Sequence, residues 1–150
     1  MKALKRILIV LLIAFIVIQF IRPARNTQEG LLANDITHVK TVPDTVLHLL
    51  QRSCYDCHSN NTVYPWYMNI QPSAWYLANH INEGKHELNF SEFGSYTPAK
   101  QLKKLQKLGR EVKEGGMPLS SYTLIHRYAS LNEGEKQLII NWTDSLAAKY

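Results

Sequence analysis

Two cysteines, Cys54 and Cys57, stand with two residues between them, and His58 follows at once. Cys54-Tyr55-Asp56-Cys57-His58 is the pattern for c-type haem attachment. The spacing has a chemical reason. Two thiols on adjacent turns can each add to one vinyl group on the same haem edge. The next residue is then held beneath the iron, where its imidazole becomes an axial ligand. Two covalent bonds and one coordinate bond hold such a cofactor without a large pocket.

Other chemistries use the same residue types. A thioredoxin-like pair follows a strand and opens a helix within a βαβ unit. Here the amphipathic run Val46, Leu47, Leu49 and Leu50 precedes the pair, and no strand is evident. A zinc site needs four ligands, with a second cysteine pair or spaced histidines. There are only two cysteines, and His80, His86 and His126 lack that spacing. A disulfide across so short a loop would remove little chain entropy. The pattern is also short enough to occur by chance.

The haem reading raises the question of a second axial ligand. Haem c iron is often completed by a methionine thioether, which raises its potential. Met117 lies in Gly115-Gly116-Met117-Pro118, a shaped loop between two helical patterns and the first choice. His126, His80, Met68 or an open position are the alternatives. Aromatics concentrate after the motif: Tyr64, Trp66, Tyr67, Trp75 and Tyr76. They suit a haem pocket, whose disc they can cover and whose propionates their polar atoms can meet. They suit an ordinary core or surface equally well.

Helices must position these groups. The first is expected from near Pro43 into Cys54. A turn-rich stretch, 59–71, follows, and then a second helix from Pro72 to about Glu83, ended by Gly84. Residues 85–97 read as a loop anchored by Phe90 and Phe93. Thr97-Pro98 starts a third helix, with Leu102, Leu105, Leu108 and Val112 on one side and Gly115-Gly116 as its stop. Its other side carries Lys100, Lys103, Lys104, Lys107, Arg110 and Lys113. That is a solvated face, or one that steers an acidic redox partner. Ser130 and Glu133 suggest a capping box for a last helix, with Leu131, Leu138, Ile139, Trp142 and Leu146 on its apolar face. The expected fold is all-α, a small cytochrome c-like helical domain around one covalent haem.

The N-terminus is set apart. Lys2, Lys5 and Arg6 precede an apolar run from Ile7 to Ile21, broken only by Gln19, and Arg22 follows. Residues 1–22 read as a signal anchor or transmembrane helix, although the run is short against about 20 residues. A cleaved export signal is the alternative, but Arg22-Pro23-Ala24 puts a bulky cation where a small residue belongs. The excess of cations before the run favours a single-pass inner-membrane protein with its C-terminal domain in the periplasm. Residues 23–42 read as a linker, and 43–150 as the haem-binding domain. The net charge of +5 comes from residues 1–25, because 26–150 hold equal numbers of bases and acids. The basic balance is therefore no argument for nucleic-acid binding.

With these residues in place, the sequence resembles a bacterial family of haem-binding domains, membrane-anchored monohaem cytochromes of the c type. The resemblance runs from about Val39 to Ala147. It is carried by Cys54-Tyr55-Asp56-Cys57-His58-Ser59-Asn60, Tyr64-Pro65-Trp66-Tyr67, Pro72 through Trp75, and His80-Ile81-Asn82-Glu83-Gly84. Leu88-Asn89-Phe90-Ser91, Met117-Pro118 and the final helix with Trp142 complete it. The resemblance implies covalent haem c on Cys54 and Cys57, His58 as proximal ligand and Met117-Pro118 as the distal ligand segment. The expected role is single-electron transfer, as a carrier rather than a catalyst. The electron would pass from a membrane-bound donor to an acceptor such as a cytochrome c peroxidase or oxidase. The rival role is a peroxidase-like haem enzyme or a gas or redox sensor with an open or labile sixth position.

Overall fold

A computed structural model describes residues 1–28 and 33–150. Among these residues no β-strand forms, and Thr27 and Asn61 make an isolated antiparallel bridge. The all-α expectation is met.

Helix α1, Lys2–Ile18, is 17 residues long and buries none of them against the domain. Leu4, Ile7, Leu11, Phe15 and Ile16 are all exposed, so apolar side chains surround the shaft. Its rise is about 26 Å, against about 30 Å for the hydrocarbon core of a bilayer. The expectation of a membrane-spanning helix over residues 1–22 is not met: among the described residues, no helix is long and apolar enough to cross a membrane. The helix stops because Gln19 turns its side chain to the domain, where its Oε1 accepts from the Gln71 N–H at 2.9 Å.

The stretch read as a linker is folded onto the domain on both sides of residues 29–32. Gly30, which contributed to that reading, lies outside the described residues. Residues 26–28 bond residues 59–62. Further on, Asp35 caps the short helix α2, Ile36–Val39, by accepting from the Thr37 N–H at 3.0 Å. Ile36 is fully buried.

Helix α3, Asp44–Ser53, buries Val46, Leu49 and Leu50 and leads through a kink at Cys54 into α4, Tyr55–His58. Helix α5 covers Ser73–Glu87, α6 Pro98–Glu114, α7 Ser120–Ile125 and α8 Glu133–Ala147. Helices α6 and α8 form the principal packed pair. Their core joins Leu105, Val112, Ile139, Trp142 and Leu146 to Leu49 and Leu50 of α3 and to Phe90 and Phe93. Both phenylalanines anchor their loop as expected, within a 3-10 segment, and each contributes about 1.5–3 kcal/mol by leaving water.

Two expected boundaries and one expected core residue differ. Gly84 does not end α5, which continues to Glu87. A Cβ at Gly84 would stand 2.6 Å from the Cys57 carbonyl oxygen, so this glycine is a point of close helix approach and not a stop. The capping box of α8 is Asn132 with Glu135 rather than Ser130 with Glu133: the Asn132 side chain accepts from the Glu135 N–H, and the Glu135 carboxylate accepts from the Asn132 N–H, each at 2.9 Å. Leu138 faces solvent instead of the core. By contrast, α6 starts and ends as read, with Thr97 at its N-cap and Gly115 left-handed at φ 74°.

Candidate functional site

Helix α4 exists to present three side chains. Its one turn follows directly on α3, with the His58 N–H bonded to the Cys54 carbonyl at 3.0 Å. Asp56 closes the next loop: its Oδ1 accepts from the Val63 N–H at 3.1 Å, and its carbonyl accepts from the Thr62 hydroxyl at 2.6 Å. Gly84 lets α5 lie against this turn.

A cavity of about 270 Å³, partly open to solvent, brings Cys54, Cys57, His58, Met117 and Pro118 together. On one side it continues past Leu88, Phe90 and Leu108 to Lys104 and Lys107 of α6. On the other it continues past His80, Tyr67, Tyr76, Leu77, Tyr122 and Ile125. The three spaces form one groove with mostly apolar walls.

His58 is oriented by one bond. Its Nδ1 lies 2.9 Å from the Leu88 carbonyl oxygen, which can only accept, so Nδ1 carries the proton. Nε2 is left as a free lone pair. Burial lowers the His58 pKa more than the Leu88 and Gly84 carbonyls raise it, so the ring is held neutral, as a metal ligand must be.

The Leu88 carbonyl is itself held in place. Asn89 donates to the Asn60 side-chain oxygen at 2.7 Å, and the Asn60 N–H donates to the Ser91 hydroxyl at 3.1 Å. The Asn60 side chain donates in turn to Gln28 at 2.6 Å and to Glu92 at 2.9 Å. Asn60, Asn89 and Ser91 are all buried. A satisfied polar network of this kind fixes a single geometry. It ties Asn60, two residues after His58, to Asn89 and Ser91 beside the Leu88 carbonyl.

Cys54 and Cys57 are unpaired. Burial raises the Cys54 thiol to about 12, with a smaller contribution from Cys57. Burial and then the Asp56 carboxylate raise Cys57 to about 11. Both are protonated at neutral pH, the opposite of the acidic thiol that a thiol oxidoreductase requires.

A second set of bonds closes the groove from the other side. The Tyr122 hydroxyl donates to Asp56 Oδ2 at 2.6 Å, which ties α7 to the motif. Burial, and then this bond, raise the Tyr122 pKa well above the usual phenol range. The Tyr122 ring stacks on His126 at 4.4 Å, and His126 Nε2 lies 2.6 Å from the Tyr67 hydroxyl. With its other nitrogen 3.0 Å from the Tyr128 hydroxyl, His126 is committed to this network.

Of the aromatics expected in a haem pocket, Tyr67 and Trp66 line the groove, although Trp66 is 76% exposed. Tyr64 and Trp75 are engaged elsewhere. The Tyr64 hydroxyl accepts from the Asn26 N–H, and the Trp75 Nε1 donates to the Ile21 carbonyl at 2.9 Å. Sequence reasoning missed Ser53, Leu88, Phe90 and Tyr122. Tyr122 was within reach as the first aromatic after Met117-Pro118, whereas the others become visible only once the chain is folded.

The groove fits a haem. It offers two half-buried thiols, one neutral imidazole with a free Nε2, one thioether and apolar walls. Ser53 also lines it, and its buried hydroxyl has no hydrogen-bond partner among the described residues. Leaving such a group unpaired costs about 1–3 kcal/mol. Lys104 and Lys107 at the margin are now held by Glu87, the latter at 2.7 Å and the former at 4.0 Å.

No curated protein and no solved structure matches the chain significantly. The family model for a haem-binding domain matches residues 13–145, nearly the whole chain, from within α1 to the last turns of α8. The chain therefore belongs to the haem-binding domain family, and its cofactor is haem.

Proposed function

We propose that the haem is of the c type, held by Cys54 and Cys57 as thioethers, with His58 Nε2 as proximal iron ligand and Met117 as distal ligand. The observation that carries this reading is the His58 geometry. Nδ1 is locked to the Leu88 carbonyl, and the ring lines a cavity shared by both unpaired thiols and Met117. When bound, the haem supplies a one-electron ferric–ferrous couple. The chain's own residues orient the ligands, exclude water with Leu88, Phe90, Leu108 and Pro118, and leave one margin open beside Lys104 and Lys107. Those properties suit an electron carrier rather than a catalyst. The acceptor we favour is a cytochrome c peroxidase or oxidase.

We further propose that α1 associates the chain with a membrane and that the haem domain stands on the extracytoplasmic side. A helix that is apolar on every face needs an apolar medium. Cations stand at both of its ends, with Lys2, Lys5 and Arg6 in its first turns and Arg22 and Arg25 after it. Two high-pKa thiols in an oxidising compartment are also best explained if maturation consumes them.

The test is a haem stain of the denatured protein with a pyridine haemochrome spectrum, after expression beside a cytochrome c maturation system. Haem that remains with the denatured chain and gives a c-type spectrum supports covalent attachment. An unstained band from folded, haem-loaded protein overturns it in favour of a haem held by ligands alone.

A further inference from the structure

The end of α1 does not lead into a flexible tether. Gln19 Oε1 accepts from the Gln71 N–H at 2.9 Å. Gln71, 2% exposed, donates through Nε2 to the Ile21 carbonyl at 2.9 Å, and Trp75 Nε1 donates to the same oxygen at 2.9 Å. Arg25 donates to Asn69 at 3.1 Å and lies 5.2 Å over the Tyr64 ring. Asn26 donates to the Ser59 carbonyl at 2.8 Å and to the Thr62 hydroxyl at 2.9 Å, and its own carbonyl accepts from the Thr62 N–H at 3.0 Å. Fixing a backbone segment costs conformational entropy, and hydrogen bonds in this number offset it across residues 19–28.

The joint determines what lies at the root of α1. Phe20, Ile21, Ile70 and Trp75 gather there, all exposed although apolar. Arg22 and Arg25 are exposed beside them. We infer that this collar rests in the headgroup layer of an anionic phospholipid bilayer, and that residues 19–28 hold the haem groove against the membrane at one height and orientation. The inference rests on the proposed membrane association of α1. If the shaft of α1 enters lipid, its end reaches the interface, and whatever is bonded to Gln19 and Ile21 must lie there too. A tryptophan with its N–H committed and its ring exposed suits that layer, and arginines can meet lipid phosphates. The family match begins at residue 13, so it includes the joint.

The experiment uses the full-length, haem-loaded protein in vesicles of phosphatidylethanolamine and phosphatidylglycerol. A nitroxide label is placed, after haem attachment, at Ile70→Cys or at Lys113→Cys, the latter exposed near the end of α6. Accessibility is read with oxygen, which partitions into lipid, and with a water-soluble nickel chelate. Position 70 is expected to favour oxygen severalfold over position 113. The double variant Gln19→Ala, Gln71→Ala should lose that preference while the protein still floats with the vesicles. Flotation with position 70 as water-accessible as position 113 overturns the inference and leaves the role of α1 standing. Protein absent from the vesicle fraction overturns both. A double variant that keeps the lipid preference shows that the joint does not set the height, and overturns that part.

Discussion

Replacing Gly84 with alanine sets two known effects against each other. Alanine is favoured over glycine inside a helix by about 1 kcal/mol, and Gly84 lies well inside α5. The added methyl, however, would stand 2.6 Å from the Cys57 carbonyl oxygen and 3.2 Å from its carbonyl carbon, where ordinary contact begins at 3.4 Å. The shortfall is about 0.8 Å, and neither side can yield by rotating a side chain, because both are backbone. Overpacking costs about 1–3 kcal/mol, and a rigid contact belongs in the upper half of that range. We therefore expect a net loss of about 1–2 kcal/mol, or roughly 3–8 °C in Tm for a domain of this size. Because α4 has to move to make room, the yield of attached haem should fall as well. Thermal denaturation followed by circular dichroism, with haem-to-protein ratio from absorbance, reads both. A Gly84→Ala protein with full haem and an equal or higher Tm would refute the reasoning, since helix propensity would then be the only effect present.

Met117→Ala should convert a six-coordinate, carbon monoxide-unreactive ferrous protein into one that binds the gas readily; an unchanged spectrum would pass the sixth position to another residue. Tyr122→Phe removes the donor to Asp56 and should cost about 1 kcal/mol, with faster amide exchange in α7; unchanged exchange would mean that the bond does not hold the helix. Asn132→Ala should cost about 0.5–2 kcal/mol by urea unfolding, while Ser130→Ala stays near neutral, and the reverse order would restore the earlier helix start. The Glu135 carboxyl is held below its usual range, first by the Asn132 N–H and then by Arg52. Its folded value is thus below its unfolded one, so its contribution is present above the ordinary carboxylate pKa and fades as pH falls through the lowered one. Glu135→Gln should flatten that part of the acid stability curve, and an unaltered acid limb would count against the bond.

The motif, the helical class and the bounds of α6 were legible because each rests on local rules: spacing along one turn, apolar periodicity, Thr97-Pro98 and Gly115. The errors share a different cause. Gly84 reads as a stop in one dimension and acts as a contact in three, since only the fold brings Cys57 against it. Ser130 and Asn132 are both good caps by residue type, and the register of α8 on α6 selected the later one. Tyr64 and Trp75 suit a haem pocket by type and by nearness to the motif, and suit an ordinary core or surface equally well. In the fold their polar atoms serve Asn26 and Ile21, and that assignment depends on a pairing between residues 19–28 and 59–75 that no local pattern encodes.

That pairing also changes how the site itself is understood. His58 takes its direction from the Leu88 carbonyl, which is flanked by Asn89; Asn89 is bonded to Asn60, and Asn60 to Gln28. Ser59, next to His58, accepts from Asn26. Residues 19–28 therefore bond the residues that receive α1 at one end and, at the other, the residues that flank His58 and the Leu88 carbonyl. In a buried network each missing partner leaves a polar group unpaired and loosens its neighbours. The segment between α1 and residue 28 is accordingly part of the haem site, although none of its side chains lines the groove. A haem domain defined to begin at Pro43 would lack the partners that hold Asn60 and Ser59, and with them part of what fixes the His58 ring.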